Sequence, residues 1–530
     1  MVFTLQRYIF RELFRVFALA TIGLTLILSL GSVLQPVQEY GVGPRQVVHL
    51  LLYLMPVTLT FVLPMAALFA SALTYGRFAG DNELDACRAS GISMLTLVYP
   101  GLILAILVAT ANLILSFHVM PYFVHLAEKS IKADAKQIVF RNIERRGFYR
   151  PPGVPYMIYA DLADEKNNTL SGIVVVQNEQ GMVEKITAAE AARVEFNPQE
   201  KFNEIQLHVF GVHQMSGTNS WGGRIANMIL QYEFGSLLDD DIKFKQIEEV
   251  KQIRANPMRF DPIAKIARRA FSQLATELLA QDISAQVSAS SRDFYELRGS
   301  PRSVRFSATS CALDEEKKVH LVGPIVVEEF NSVTGSNVRT LLCETADVLL
   351  DEDLAGPGVA LVLNNPRAQE TGQIMVSHSI RGLRLPETLM RRLRRADVLE
   401  VVTPEGSAAV LGGSPGSNLA DLQKQLAKRM RKTLVDIKAE MNSRLVFGIG
   451  CLPMIMIGIA LGIINRGGHL LSAFGASCVP AAVLIVAIIS GKHVTENMTA
   501  QGVSGIMVMW AGLASLTVLA FWLYSRLSRS

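Results

Sequence analysis

Six long stretches of the chain contain no Asp, Glu, Lys or Arg. They span residues 16–38, 46–76, 89–127, 445–465, 467–491 and 497–525. About 20 mainly apolar residues of α-helix are needed to cross a hydrocarbon core of roughly 30 Å. Each stretch is long enough, so the pattern predicts six membrane-spanning helices. The alternative, buried helices of a large soluble protein, would require an unusually large core made only of apolar residues.

A charge-rich segment, residues 128–444, separates the third stretch from the fourth. It holds 41 basic and 41 acidic residues. Segments rich in β-branched and aromatic residues and bounded by Gly, Asn or Pro predict strands within it. These segments begin at Val154, Gly172, Glu204, Ser303, Gly323, Val359 and Gln373. Many short strands with few helices favour a β-sandwich or a jelly roll.

The basic residues that flank the apolar stretches are unequally distributed. One set of short flanking segments holds Arg7, Arg11, Arg15, Arg77, Arg88, Arg466, Arg526 and Arg529, and the opposite set holds only Arg45 and Lys492. Because cytoplasmic segments are enriched in Lys and Arg, this count places both termini in the cytosol and residues 128–444 outside. We therefore predict a membrane α-helical bundle of six transmembrane helices with a large extracytoplasmic β-jellyroll-like insert.

The insert contains a faint internal repeat. The segment from Gly172 to Phe196 resembles the segment from Gly323 to Leu350, and each continues into another apolar strand, EIQLHVF or VALVLNN. Either a duplicated β-domain or chance similarity explains this pattern. Between the two copies, residues 241–295 are predicted to be helical in part, with Ile263, Ile266, Ala270 and Leu274 on one face. Cys311 and Cys343 either form a disulfide or remain two buried thiols.

A long amphipathic helix is predicted over residues 419–444. Apolar residues at positions 419, 422, 426, 430, 434, 437 and 441 are spaced three or four apart, and no Gly or Pro separates them from the fourth span. The other face carries basic residues that include Lys424, Lys428 and Arg431. This face is either solvated or in contact with the phosphates of lipid head groups.

The composition and the motifs exclude several classes of protein. Half of the residues are hydrophobic and 18% are charged, against roughly 25% charged in soluble domains. The net charge of +4 is too small for a nucleic-acid-binding surface, and five cysteines exclude a disulfide-rich secreted scaffold. The sequence contains no GxxxxGK[ST], HExxH or CxxC motif. We therefore expect no catalytic residues, no metal site and no cofactor.

The cytosolic loop between the second and third spans, GRFAGDNELDACRASGIS (76–93), has an unusual charge pattern. Asp81, Glu83 and Asp85 precede Arg88, which suits a short helix with acids near its N-terminus and a base near its end. Gly91 would end this helix. The loop is either a solvated connector or a short helix that docks into a separate motor subunit.

This loop resembles the coupling-helix signature of the LptF/LptG (YjgP/YjgQ) permease family, which exports lipopolysaccharide. The matching residues are Gly76, Arg77, Asp81, Asn82, Glu83, Leu84, Arg88, Ala89, Ser90, Gly91 and Ser93. Two further features are similar to the family: Glu440 and Arg444 before the fourth span, and the turn that begins at Arg466. Within the fourth span, Gly458 and Gly462 form a GxxxG pair that permits close helix packing.

The resemblance implies a permease of the bacterial inner membrane without enzymatic activity of its own. Its implied partners are a homologous permease chain, an LptB-type ATPase dimer, a periplasmic LptC/LptA-type bridge, and lipopolysaccharide or a related lipid. Arg77, Asp81, Glu83, Leu84 and Arg88 would couple to the ATPase, and Glu440, Arg444, Gly458 and Gly462 would serve packing or gating. Two features depart from the family: the insert is about twice the usual size, and the outer end of the first span lacks lysine.

Two other classes of protein compete with this hypothesis. A membrane-anchored structural or sensing protein would have the β-domain but no transport pathway. A membrane enzyme would need ionisable residues within its spans, and the six stretches have no Asp, Glu, Lys or Arg. The predicted domains are therefore spans one to three (1–127, with the coupling segment 76–93), a periplasmic β-rich domain (128–418), a connecting helix (419–444) and spans four to six (445–530).

The distribution of basic residues predicts the topology. In a cysteine-free background, single cysteines placed at residues 41–44 or within 128–444 should react with a membrane-impermeant reagent in spheroplasts. A cysteine at Asp85 should react only after the membrane is permeabilised. Labelling of the Asp85 position in sealed spheroplasts would contradict the predicted topology.

Overall fold

A computed structural model provides the structure of the chain. It describes residues 2–529 except for 41–43, 134, 151–155, 180–181, 197–203, 217–221, 234–240, 290–293, 300–301, 314–318, 333, 354–355, 371, 373, 376, 394–396, 465–469 and 498–502.

Helices occupy both ends of the chain and the region between two β-sheets. Those before the first sheet are α1 (Val2–Tyr40), α2 (Pro44–Gly80), α3 (Glu83–Ala89), α4 (Met94–Ile114), α5 (Met120–Ala133) and α6 (Ala135–Arg146). Between the sheets lie α7 (Ile247–Ala255) and α8 (Asp261–Ala289), each preceded by a 3₁₀ turn, Ile242–Phe244 and Pro257–Arg259. After the second sheet follow α9 (Glu387–Leu393), α10 (Val398–Val402), α11 (Pro404–Leu411), α12 (Ser417–Ile464), α13 (Leu470–Asn497) and α14 (Val503–Arg529).

The strands form two antiparallel sheets. The first contains β1 (Phe148–Tyr149), β2 (Tyr156–Asp164), β3 (Thr169–Glu179), β4 (Met182–Phe196), β5 (Glu204–Ser216) and β6 (Gly222–Glu233). The second contains β7 (Tyr295–Leu297), β8 (Arg302–Ser307), β9 (Ser310–Leu313), β10 (Val319–Asn331), β11 (Asn337–Asp353), β12 (Gly356–Asn364), β13 (Arg367–Ala368) and β14 (Ser377–Arg384). Every strand predicted from the sequence overlaps one of these, although two predicted starts, Val154 and Gln373, lie outside the described residues.

Six helical segments of the described chain are long and apolar enough to cross a membrane. They are Phe3–Gly31, Val47–Gly80, Met94–Ala127, Ser417–Ile464, Cys478–Thr495 and Ser504–Leu527. Each overlaps one of the six charge-free stretches. Together with the two antiparallel sheets inserted between the third and fourth segments, they confirm the predicted helical bundle with a β-rich insert.

The third span contains a local irregularity where it continues from α4 into α5. The intervening turn, Leu115–Val119, is a π-helix. Pro121 has no backbone N–H, so the carbonyl of Phe117 cannot receive the usual bond from four residues later. The wider turn changes the hydrogen-bond register at this point, and such turns often occur at functional sites.

The chain divides into two compact units, and the first comprises residues 1–251 and 433–530. Its sheet has the order β1-β2-β3-β4-β5-β6, so each strand pairs with the next along the chain. Ile158, Leu170 and Ile173 of this sheet share a buried cluster with Val139 and Phe140 of α6. The membrane helices of the unit form two further clusters, and both include residues of the fourth span.

The second unit comprises residues 252–432. Its main strand order is β14-β12-β11-β10-β8-β7, and the short strands β9 and β13 pair with β10 and β11. The sheet closes on itself, because Leu383 of β14 bridges Gly299 and the Arg384 N–H donates to the Arg298 carbonyl at 2.7 Å. The helix predicted within 241–295 is present as α8, with Ile263 and Leu274 buried as expected.

The two copies of the internal repeat occupy comparable places. The first copy and its continuation form β3, β4 and β5, and the second form β10, β11 and β12. Gly172 and Gly323 open the two copies, and both have a positive φ, 61° and 116°. A Cβ at Gly172 would meet the Asp161 side chain, and one at Gly323 would meet Thr309. Glycine is therefore required at both positions; duplication itself stays a hypothesis.

Cys311 and Cys343 are free thiols in the second unit. The structure therefore has no disulfide between them, and it buries Cys343 but leaves Cys311 only half-buried. Burial raises the pKa of each thiol to about 11, so both are protonated at neutral pH.

One end of the closed sheet holds a buried carboxylate, Glu329 of β10, which pairs with Arg302 of β8 and Arg339 of β11. His378 of β14 accepts a hydrogen bond from Arg339, with 2.8 Å between Nη2 and Nε2. Burial by itself would raise the pKa of Glu329, but its bonds to Arg339 and Arg302 hold that pKa below the ordinary value. Burial, and then the charge of Arg339, lower the pKa of His378.

We predict that the second unit loses stability as the pH falls from 6.5, the ordinary pKa of histidine, towards the lower folded-state pKa of His378. Over that range the unfolded chain binds a proton more readily than the folded chain. His378→Gln keeps an acceptor for Arg339 but cannot titrate. As the pH falls, this variant should therefore lose less stability than the wild type. The measurement is hydrogen exchange of β14, corrected for intrinsic rates, at pH about 7.5 and about 5.5.

A matched control is His320→Gln, because His320 lies on the outer side of the same sheet, paired with Asp347. This variant should keep the pH dependence of the wild type in β14. An identical pH dependence in the wild type and in His378→Gln would show that His378 does not govern it.

Candidate functional site

Polar side chains converge at the point where α12 becomes apolar. We call the contacts around Glu440, Arg444 and Lys492 the outer junction, after the side of the membrane that the basic residues predict for them. Arg444 Nε donates to Glu440 Oε1 at 3.1 Å, and Lys492 Nζ of α13 donates to Glu440 Oε2 at 2.6 Å. The side chains of Glu440 and Arg444 are 13% and 4% exposed. One largely buried carboxylate therefore joins the fourth span to the fifth.

Arg444 also makes contacts outside its own helix. Its Nη2 donates to the carbonyl of Lys243 at 2.7 Å, and Nη1 approaches the carbonyl of Lys245 at 3.4 Å. The guanidinium lies 5.6 Å from the ring centroid of Phe117 in the π-helical turn of the third span, a cation–π arrangement. Arg444 thus holds the segment that follows β6 and the third span against the fourth.

The sixth span reaches the same region through a tryptophan. Trp510 Nε1 donates to Asn442 Oδ1 at 3.0 Å. The outer junction therefore lies among contacts from spans three, four, five and six. The sequence indicated Glu440 and Arg444 but not Lys492, because 52 residues separate it from Glu440. The carbonyls of Lys243 and Lys245 are backbone groups, so residue types in the sequence could not identify them as partners of Arg444.

Gly458 and Gly462 lie where the backbones of α12 and α2 approach closely. A Cβ at Gly458 would be 2.7 Å from the Leu68 carbonyl oxygen, and one at Gly462 would be 2.5 Å from the Ala72 carbonyl oxygen. Real Cβ atoms do not approach so closely, so any side chain at these positions would push the second and fourth spans apart. Both glycines thus have a packing role.

The coupling segment contains the helix α3. It follows Asn82, which has a left-handed φ of 57°, and the chain turns at Gly91 with a φ of 83°. Asp81, Glu83 and Arg88 are exposed, whereas Leu84 is only 5% exposed. Leu84 therefore anchors the helix, and Glu83 and Arg88 form its exposed face. Leu84 belongs to a large buried cluster, which also includes Ile9, Leu13, Phe78, Leu97 and Val98 of α1, α2 and α4 and Cys451, Ile455 and Ile459 of α12.

Arg77 is engaged within the bundle. Its Nη2 lies 3.1 Å from Oε1 of Glu12 in α1, and its guanidinium lies 5.4 Å from the ring centroid of Phe78. The side chain is about half exposed. Arg77 thus links α2 to α1 next to α3, a pairing that sequence spacing could not reveal.

Lys424, Lys428 and Arg431 are exposed on α12, and Lys424 lies 3.5 Å from Asp421. The buried stripe of this helix differs from the predicted one. Gln423 is buried and donates to the Val402 carbonyl at 3.0 Å, whereas Leu434 is 41% exposed. The prediction for Leu434 is therefore wrong, because Thr433, which is 2% exposed, occupies the buried position at this level of the helix.

Two other predictions concern the turn at Arg466 and the binding of metal ions. The turn that begins at Arg466 lies outside the described residues. Within the described part of the chain, no group of three or more His, Cys, Asp or Glu side chains is arranged to hold a metal ion.

Six apolar helices, a β-rich insert and a short loop helix anchored by one leucine define a multi-pass membrane protein built around a helical bundle. The family model of the lipopolysaccharide export system permease LptF/LptG matches residues 7–526. The chain belongs to this family, and the resemblance seen in residues 76–93 is confirmed. It is therefore a transporter component of the inner membrane. No curated protein matches the chain.

We predict that Glu440→Gln lowers the free energy of unfolding of the first unit by about 2–4 kcal/mol, because it leaves Arg444 and Lys492 without their carboxylate. The control is Glu248→Gln in the same unit. Glu248 is 73% exposed in its pair with Lys251, and loss of an exposed pair costs less than about 1 kcal/mol. Thermal unfolding of the two purified variants in detergent provides the comparison. Equal effects would mean that the outer junction contributes no more than a surface ion pair.

Proposed function

We propose that the chain is the permease subunit of an ATP-driven complex that extracts lipopolysaccharide from the inner membrane and passes it to a periplasmic bridge. The observation that carries this proposal is the match of residues 7–526 to the LptF/LptG family. The six apolar helices and the β-rich insert supply the two parts that such a subunit needs: a membrane pathway and a surface to which the lipid is passed.

The proposed complex contains a second, homologous permease chain, an LptB-type ATPase dimer and an LptC/LptA-type bridge. ATP hydrolysis belongs to the separate ATPase, because this sequence contains no P-loop motif. The orientation that follows from the basic residues puts α3 on the ATPase side and both sheets on the bridge side.

The geometry of α3 suits the transmission of force from an ATPase. Glu83 and Arg88 are exposed and available to a partner, while Leu84 lies in the packed cluster of α1, α2 and α4. An ATPase that holds the exposed face of α3 would therefore displace Leu84 within a packed cluster that several membrane helices share. Close-packed interiors transmit such displacements because they deform little.

The outer junction suits a gate. Glu440 and Arg444 belong to one helix and stay together when that helix moves, whereas the bond from Lys492 to Glu440 crosses between spans four and five. Separation of these spans would break the Lys492 bond and keep the Arg444 bond. Lys492 is already 32% exposed, so water or an anionic head group could replace the lost carboxylate. Contact of Lys424, Lys428 and Arg431 with lipid head groups is a further part of this proposal.

We predict that Glu83→Ala weakens assembly with the ATPase or uncouples its hydrolysis from lipid movement, although the permease still inserts. Loss of one side of a buried charged contact at an interface costs on the order of 2–5 kcal/mol, equivalent to a factor of at least about 30 in affinity. The measurements are co-purification of the ATPase and lipid-stimulated ATP hydrolysis by the assembled complex.

The matched control is Asp85→Ala. Asp85 lies in the same helix but is less exposed than Glu83, so this variant should have the smaller effect. If Glu83→Ala equals the wild type in both measurements, residues 76–93 form only a solvated connector. ATP hydrolysis by the isolated chain, above that of contaminating ATPases, would contradict the permease function itself.

A further inference from the structure

At one end of the second sheet, the side chains on its buried face change from apolar to polar. Val304 and Phe306 of β8 and Val327 of β10 are fully buried. Side chains alternate between the two faces of a strand, so the next position on the same face is Arg302 in β8 and Glu329 in β10. On β11, Arg339 lies directly opposite Glu329 in the pairing register. The sheet therefore ends in a polar layer above an apolar one.

The polar layer is organised around Glu329, whose side chain is 0% exposed. Its Oε1 accepts from Arg302 Nη1, and its Oε2 accepts from Arg339 Nε at 2.5 Å. Arg339 Nη2 donates to His378 Nε2. Because this nitrogen acts as an acceptor, the imidazole is neutral in this arrangement. Two guanidiniums and one carboxylate then leave the layer with a net charge of +1.

Closure of the sheet does not explain why this layer contains two arginines and a buried glutamate. Burial of charged groups is costly, and well-packed apolar residues often replace a buried ion pair without loss of stability. A single cation would already neutralise Glu329. The second guanidinium is therefore surplus to the charge balance, although a shared carboxylate holds both guanidiniums in place.

The two guanidiniums keep N–H groups directed away from Glu329. A guanidinium carries five N–H donors, and Arg302 uses one group, Nη1, on Glu329. Among the described residues, the side-chain hydrogen bonds of the two arginines go to Glu329 and His378 alone. Arg302 is 47% exposed and Arg339 is 30% exposed. The remaining donors thus reach solvent from positions that are fixed by a buried anchor.

We propose that Arg302 and Arg339 form a binding site for the phosphate group of a phosphate monoester. Guanidinium forks bind phosphate oxygens in pairs with good geometry. A phosphate monoester has three terminal oxygens and a charge of about −1.5 to −2 at pH 7, so it can satisfy more of the remaining N–H donors than a second carboxylate, which has two oxygens and one charge. Glu329 holds the donors in position before the ligand arrives, which lowers the ordering cost of binding. The site does not depend on the proposed transport function.

The test is hydrogen exchange of the full-length chain in detergent, with and without inorganic phosphate at matched ionic strength. Phosphate at about ten times its Kd should slow exchange through local opening about tenfold. The slowing should be confined to peptides from β8, β11 and β14, the strands that carry the two arginines and His378. Acetate at the same concentration should have a much smaller effect.

Arg302→Gln should abolish the phosphate effect, and Arg302→Lys, which keeps the charge but loses the fork, should reduce it. The matched control is Arg305→Gln. Arg305 lies on the outer face of the same strand, is 49% exposed and pairs with Glu296, so this variant should respond to phosphate like the wild type. Hydrogen exchange of β12 without phosphate shows whether each variant keeps the folded sheet. If Arg302→Gln does not keep it, Arg302→Lys is compared with the wild type instead.

A phosphate effect that is absent from the wild type, equal in all variants or equalled by acetate would overturn the proposal. Two further probes separate the sources of the phosphate group. Protection by glycerol 3-phosphate would indicate a soluble ligand, and protection only in nanodiscs that contain phosphatidic acid, against phosphatidylcholine alone, would indicate a lipid head group. Either form of protection should be lost in Arg302→Gln, and the absence of both would also overturn the proposal.

Discussion

Hydrocarbon cannot solvate charge, and this constraint determines how the membrane part of the chain is built. Without Asp, Glu, Lys or Arg in the six stretches, the spans must associate through shape and through short polar contacts. Gly458 and Gly462 let the backbone of the fourth span touch that of the second. Ser71 and Tyr75 of α2 add polar contacts by donating to the carbonyls of Ile455 and Leu97, at 3.3 and 2.9 Å.

Two arginines show how charge enters the bundle where the hydrocarbon ends. At the outer junction, Arg444 has a carboxylate, two backbone carbonyls and an aromatic ring around it. At the opposite end of the bundle, Arg77 of the second span pairs with Glu12. Each arginine joins its helix to another element, so ion pairs fix these ends of the spans while glycine packing fixes the contact between the second and fourth.

The sequence predicted the features that depend on local composition. The absence of charge identified all six spans, and β-branched and aromatic segments bounded by Gly, Asn or Pro identified strands such as β3 and β10. The sequence did not predict β6, because GGRIANMILQYE contains only two β-branched residues and one aromatic residue. The sequence also placed Leu434 on the buried face of α12, because the spacing of apolar residues does not reveal that the polar residues Gln423 and Thr433 are buried on that helix.

The residues of the candidate site likewise divide into those that local sequence indicates and those that only the fold brings together. Glu440 and Arg444 are four residues apart on one helix, so their pairing is visible in the sequence. Lys492, Phe117 and the carbonyls of residues 243 and 245 come from distant parts of the chain, and only the fold brings them to the outer junction. Sequence reasoning likewise did not distinguish Leu84 from the exposed residues beside it, because all of them belong to one motif. The buried Leu84 and the half-buried Cys87 connect the exposed face of α3 to a packed cluster of membrane helices, which is the connection that the proposed coupling to an ATPase requires.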